Sequence, residues 1–196
     1  PPDREPIEKF ICVSDIFSQA KLSVPKIFEK NRKDGFLILE DFGNKTYLNS
    51  YFDNPSITCK LLKNACNSII QLQRWGLQNH NASSKLPDFS KKMLLNELKL
   101  FEYWYLDKHL KLPIAKKDLL SLQSIFMEIS NNISTQPKVI VHRDFHSRNL
   151  MVLEKNNAVG ILDFQDVVLG SVSYDLASLV RDAYFNWDKD EELNWT

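Results

Sequence analysis

In the segment VIVHRDFHSRNLMVLEKNNAVGILDFQD, residues 139–166, a small set of polar side chains stands between apolar runs: His142, Asp144, His146, Asn149 and Asp163. Asn149 follows Asp144 by five positions, and Asp163-Phe164 closes the next apolar run but one. A strand over 139–142 would deliver Asp144 to a loop. A hairpin of two further strands would return Asp163 to the same edge. Phosphoryl transfer uses this combination: a carboxylate accepts the proton of the attacking hydroxyl, and Asn and Asp oxygens hold Mg²⁺ against the phosphates. On this reading Asp144 is the base, and Asn149 and Asp163 are the metal ligands. Turn chemistry alone also favours Asp and Asn between strands, but it does not ask for this spacing together with a later Asp-Phe at a strand end. A metal-dependent phosphohydrolase would instead use His142, Asp144, His146 and Asp163 as ligands. The placement of Asn149 favours Mg²⁺ and kinase chemistry over that alternative.

The rest of the chain must position these groups. Apolar residues at helical spacing predict an amphipathic helix from Pro6 to about Leu22. Two short strands, 24–28 and 36–41, flank a polar segment ending in Asp34-Gly35, which is hairpin chemistry. Helices are expected over 57–75, 90–110 and 116–133, the first two separated by the polar loop NHNASSKLPD. Strands follow at 139–142, 150–153 and 158–164, the last two joined by a turn over 154–157, and a helix over 173–184 comes last.

Composition narrows the class of partner. The 196 residues carry 25 Lys and Arg against 25 Asp and Glu, with 43% apolar residues. That balance lacks the electrostatic footprint of a nucleic-acid or acidic-membrane binder. No apolar run approaches the ~18 residues of a membrane span, and no secretion signal stands at the start, so the expected partners are small molecules and the expected compartment is the cytoplasm. Cys12, Cys59 and Cys66 have no metal-ligand spacing and read as buried thiols. The five glycines are scattered, so neither a dinucleotide fingerprint nor a Walker loop is present. The chain opens on Pro1-Pro2-Asp3 and stops at WDKDEELNWT, and it reads as an excerpt truncated at both ends.

HRDFHSRN and ILDFQD resemble the catalytic and metal-binding loops of the protein-kinase-like superfamily, in its aminoglycoside phosphotransferase and choline kinase branch. Gln165 stands where protein kinases carry glycine after Asp-Phe. More narrowly, HRDFHSRNLMV, ILDFQDVVLGSVSYDLASLVRD and GFLILEDFGNKTYL are similar to bacterial kinases that act on the anomeric hydroxyl of N-acetylmuramate and N-acetylglucosamine in cell-wall recycling. The resemblance implies an α+β fold, with residues 1–42 as the remainder of an N-terminal lobe and 43–196 as a mostly helical lobe. It also implies an ATP-dependent sugar kinase using ATP and Mg²⁺, with Asp144 as base, Asn149 and Asp163 on the metal and His146 near the transferred phosphate. Arg148 would steady phosphate or substrate charge, or else pair with Asp166. Asp175 would tie the last helix to the catalytic loop. Glu40, Asp41 and Phe42 look like the hinge whose backbone binds adenine. Kinases for aminoglycosides, choline or homoserine are the nearest alternatives, followed by a non-catalytic kinase-like binding module. Cationic acceptors usually meet an acidic pocket, and only Asp166 and the run 188–192 are acidic near the tail.

Departures from that pattern also carry expectations. The phosphate-covering loop and the lysine that grips the α/β-phosphates are expected upstream of Pro1, so this chain alone is expected to transfer no phosphate. Glu5 or Glu8 could partner such a lysine, although exposed first-turn acids favoured by the helix dipole describe them better. The aromatic cluster Phe101, Tyr103, Trp104 and Tyr105 reads as core, and His80 and His109 read as solvated.

Overall fold

A computed structural model describes residues 7–154 and 158–187. The chain begins with α1, Ile7–Gln19, whose inner face buries Ile11, Val13, Ile16 and Phe17. Helix α1 stops where Lys21 enters the left-handed region (φ +57°) and Leu22 N–H closes back on the Phe17 carbonyl at 2.9 Å. An antiparallel hairpin follows, β1 Ile27–Asn31 with β2 Phe36–Leu39, registered Asn31 to Phe36. Its turn is built as the Asp-Gly pair predicts: Asp34 N–H donates to Asn31 Oδ1 at 3.1 Å, and Gly35 takes φ +73°.

Helix α2, Tyr47–Asp53, has no counterpart in the sequence expectations. It starts in a capping box in which Thr46 Oγ1 accepts from Asn49 N–H at 3.1 Å and Asn49 Oδ1 accepts from Thr46 N–H at 3.3 Å. The box uses Asn rather than the usual Glu or Gln at its third position, which hides the signal. A short 3₁₀ turn leads into α3, Thr58–Gln78, the helix expected over 57–75. Within the expected polar loop a single-turn helix, α4 His80–Ser83, is present. The helix expected over 90–110 divides: α5 is Lys91–Leu100, and Phe101–His109 widens into π-type turns. Helix α6, Lys116–Ser134, completes the helical layer.

Two more antiparallel pairs carry the chemistry-bearing segment. Strand β3 Lys138–Val141 pairs with β6 Val168–Ser171, and β4 Leu150–Val152 pairs with β5 Val159–Ile161. Strand β6 was not foreseen from the sequence. The stretch expected as strand over 158–164 pairs only to Ile161, leaving Asp163 and Phe164 in a loop. The turn expected over 154–157 and the acidic run 188–192 lie largely or wholly outside the described residues, as does Glu5. Helix α7, Tyr174–Val180, is shorter than the expected 173–184.

One main core joins α1, α2 and α3 to the β4–β5 hairpin through Phe17, Tyr47, Tyr51, Leu61, Leu72 and Ile161, all with at most 2% exposure. Helix α3 lies close on β3 because Gly76 has no side chain: a Cβ there would stand 2.7 Å from Ile140 Cγ1. Two expectations are corrected. Phe101, Tyr103, Trp104 and Tyr105 are 45–60% exposed, stacking on one another and on His109 rather than entering the core. Helical spacing marks an apolar stripe but does not say whether another element covers it. Cys12 and Cys59 are likewise exposed, with Cys66 half-buried, because the first two fall on the outer faces of α1 and α3. His80 and His109 are exposed as expected. No helix among the described residues is long and apolar enough to cross a membrane.

Candidate active site

Strand β3 delivers His142 into the core, where it is fully buried between Phe17 and Phe145. Burial lowers the pKa of the imidazole to about 4, so the ring is neutral. Its Nε2–H donates to the Leu162 carbonyl at 3.0 Å. From the other side, Leu162 N–H donates to the Asn149 carbonyl at 2.9 Å. Leu162 is therefore a clasp. Its two backbone groups bind the start and the end of the 142–149 loop, and the next residue is Asp163. Phe164, fully buried against Phe10 and Phe17 of α1, anchors the far side of that residue.

Arg143 (φ +80°) and Asp163 (φ +58°) both hold left-handed backbone without being glycine. Such conformations cost about 1–3 kcal/mol each and persist where the surroundings over-determine them. Asp175 supplies part of that constraint, accepting His142 N–H at 2.8 Å and Arg143 N–H at 3.0 Å from the first turn of α7. Its carboxyl is pushed up to about 7 by burial, with the two N–H bonds opposing. This is the tie between last helix and loop that the resemblance implied.

Asp144 stands at the loop's exposed tip. What shelter it has raises its pKa, against the lowering influence of Arg143 and His146. Its backbone carbonyl accepts His146 N–H and Asn149 Nδ2–H, each at 3.0 Å. The second bond engages the Asn149 amide nitrogen and leaves Oδ1 free of it. Asp163 Oδ1 accepts from Gln165 Nε2 at 2.7 Å, which leaves its other oxygen free of that bond. Two hard oxygen donors beside a carboxylate suit Mg²⁺. The phosphohydrolase ligand set is not assembled: His142 has its Nε2 committed to a carbonyl, and among the described residues no three His, Cys, Asp or Glu side chains converge on a metal position.

His146 and Arg148 meet on one aromatic ring. Tyr184 lies edge-on to His146 at 5.2 Å, and the Arg148 guanidinium sits over its face at 4.6 Å. Asp182 fixes this arrangement by accepting Ser147 N–H and Tyr184 N–H, both at 2.8 Å. The pairing of Arg148 with Asp166 is not formed, because Lys9 of α1 takes Asp166. Glu8 pairs with Arg32 on the surface.

Glu40, Asp41 and Phe42 line a separate cleft of about 950 Å³, together with Leu22, Val24 and Leu153. Glu40 N–H is engaged by the Lys26 carbonyl at 2.8 Å, and Asp41 Oδ1 caps Gly43 N–H at 2.7 Å. Phe42 lies on Gly160 of β5, where a Cβ would come within 2.7 Å of its ring. The cleft opens at one end of the β4–β5 hairpin and the Asn149–Asp163 pair stands at the other, separated by three residues of strand or roughly 10 Å. Sequence reasoning did not find Glu97, Asp182, Tyr184 or Gly160. Only Gly160, a lone glycine inside a strand pattern, carried a local signal.

The sequence matches the phosphotransferase enzyme family over residues 1–194. It is 34% identical over 187 residues to an N-acetylmuramate/N-acetylglucosamine kinase of Pseudomonas aeruginosa, covering 95% of this chain and 53% of that protein. It is 32% identical to the kinase of the same name from Neisseria meningitidis, covering 99% of this chain and 56% of that protein. The chain thus spans about half the length of the curated relatives it matches. Among solved structures, the ADP-bound aminoglycoside phosphotransferase APH(2'')-Ib superposes with a TM-score of 0.64 at 18% identity, covering 96% of this chain and 65% of that one. An ethanolamine kinase of Plasmodium vivax superposes with a TM-score of 0.55 at 15% identity, covering 96% and 56%.

Proposed function

Because this chain belongs to the phosphotransferase enzyme family and has the protein-kinase-like α+β fold, we propose that its protein moves the γ-phosphate of ATP to the anomeric hydroxyl of an amino sugar, N-acetylmuramate or N-acetylglucosamine. The observation that carries this reading is the Leu162 clasp. It presents Asp144, Asn149 and Asp163 together at one end of a hairpin whose other end borders the cleft. A nucleotide triphosphate bridges such a distance, with its base in the cleft beside Glu40, Asp41 and Phe42 and its terminal phosphate at the loop. The names of the curated relatives support the choice of acceptor.

Asp144 accepts the proton of the acceptor hydroxyl. An anomeric hydroxyl is more acidic than an ordinary alcohol, which eases that step. Asn149 and Asp163 hold Mg²⁺, which when bound neutralises charge on the phosphates. His146 faces the transferred group, and Arg148, held on Tyr184, steadies phosphate or acceptor charge. Residues 1–42 belong to an N-terminal lobe and 43–196 to the helical lobe. The protein works in the cytoplasm on a nucleotide and a sugar, and the zero net charge of this chain favours neither nucleic acid nor membrane as partner.

The product decides the matter. A sugar 1-phosphate has no free reducing end and hydrolyses in mild acid. Full-length protein is incubated with ATP, Mg²⁺ and either sugar, and reducing sugar is followed against ADP. Loss of reducing sugar equal to ADP release is the expected result. Phosphorylation that leaves the reducing end free rejects the reading, and turnover only with aminoglycosides or choline moves the protein to a sister activity.

A further inference from the structure

We propose that Glu97 is a positioning residue: from the helical layer it latches the side chain of Arg143 and so aims Asp144, an inference that rests on reading Asp144 as the base. Glu97 sits on α5, 46 residues before the loop. One of its carboxylate oxygens accepts from Arg143 Nη2 and the other from the Tyr174 hydroxyl of α7 at 2.9 Å. The Glu97 and Arg143 side chains are only 30% and 25% exposed, so solvent screens this pair less than a surface one. The Arg143 guanidinium also lies over the Phe89 ring at 5.3 Å, and that ring meets Tyr174 edge-on at 5.3 Å. Phe89 is itself stitched to β6, its N–H donating to the Leu169 carbonyl at 2.8 Å. Helix α5, helix α7 and the catalytic loop therefore meet at one carboxylate, and Phe89, packed on Arg143 and Tyr174, ties that cluster to β6.

The backbone explains why this contact matters. At φ +80° glycine would be free of strain and arginine is not. A large side chain held at such a position must be offset by what it touches, and here it touches Glu97 and Phe89. Arg143 N–H is held by Asp175 and its carbonyl accepts from Ser178 Oγ at 3.3 Å. With the side chain latched as well, the residue immediately before Asp144 is held at three points. Misplacing a reacting group by about 1 Å can cost 10²-fold in rate.

The test uses full-length protein with ATP, Mg²⁺ and N-acetylglucosamine. Glu97→Ala is expected to lower kcat 10- to 100-fold while the KM for sugar and the calorimetric Kd for ADP change less than threefold. Glu97→Gln keeps an acceptor oxygen for Arg143, while its NH2 can donate to the Tyr174 hydroxyl, which then accepts, and it should recover most of kcat. Arg143→Gly relieves the strained backbone, which offsets the contacts it loses, so it should stay folded and yet lose kcat to the same extent as Glu97→Ala. The double variant should be no slower than either single one, since both remove the same latch. Near-parental kcat for Arg143→Gly, or losses that multiply in the double variant, overturns the proposal. Asp144→Asn is measured alongside: if it leaves kcat intact, the base assignment itself falls and this inference with it, whereas a large loss for Asp144→Asn with none for Glu97→Ala rejects the latch alone.

Discussion

Asp144 and Asp163 are both aspartates on exposed loop tips, and the proposed function gives them different work. Asp144 has no described side chain hydrogen-bonded to its carboxylate, whereas Asp163 Oδ1 is held by Gln165 Nε2; on the proposed reading the first takes a proton and the second holds the metal. Asp144→Asn should therefore lower kcat by 10²-fold or more, in the range typical of a lost general base, while leaving Mg²⁺-nucleotide affinity nearly unchanged. Asp163→Ala should weaken nucleotide binding that depends on Mg²⁺ and have little effect on binding without it. Calorimetry with and without Mg²⁺ separates the two roles, and equal loss of nucleotide by both variants would contradict them.

Among the elements, the β4–β5 hairpin couples the two ends of the proposed site, and Gly160 is where its packing is tightest. An added Cβ would stand 2.7 Å from Phe42 Cδ2 and 3.0 Å from Leu153 Cδ2, so the ring, which lines the cleft, must shift. Gly160→Ala should cost about 1–3 kcal/mol as overpacking. It should also raise the KM for ATP several-fold, with kcat at saturating ATP little altered. Adding Phe42→Leu, which vacates the contact, should restore KM. Denaturant unfolding and initial-rate kinetics on the three variants check this, and an unchanged KM in Gly160→Ala would detach Phe42 from nucleotide binding.

For the whole molecule, two buried titratable groups under the 142–149 loop pull stability in opposite directions with pH. His142, lowered from 6.5 to about 4, is protonated by the unfolded chain first, so it withdraws stability as pH falls through that window. Asp175, raised from 3.8 to about 7, keeps its proton longer in the folded chain, so it withdraws stability as pH rises through nearly the same window. The parent should be nearly level with pH as far as this pair is concerned. His142→Phe removes one side of the balance, and its cost to stability should be about 2 kcal/mol greater at pH 7 than at pH 5. Urea unfolding at the two pH values measures the difference, and a pH-independent cost would mean that His142 titrates normally when folded.

Local structure was legible in the sequence. Asp144, Asn149 and Asp163 lie within one short segment, so their spacing along two strands already places them on one edge. Asp34-Gly35 needs no distant partner to make its turn, and the long apolar periodicities of α1, α3 and α6 survive as helices. What only the tertiary structure decided are the encounters between residues far apart in sequence: Glu97 with Arg143, Phe42 with Gly160, Lys9 rather than Arg148 with Asp166, and β6 with β3. The same limit explains the exposed ring cluster Phe101–Tyr105 and the exposed thiols of Cys12 and Cys59. Periodicity states which side of an element is apolar, and burial depends on which other element arrives to cover it, a choice made by the packing of the whole chain.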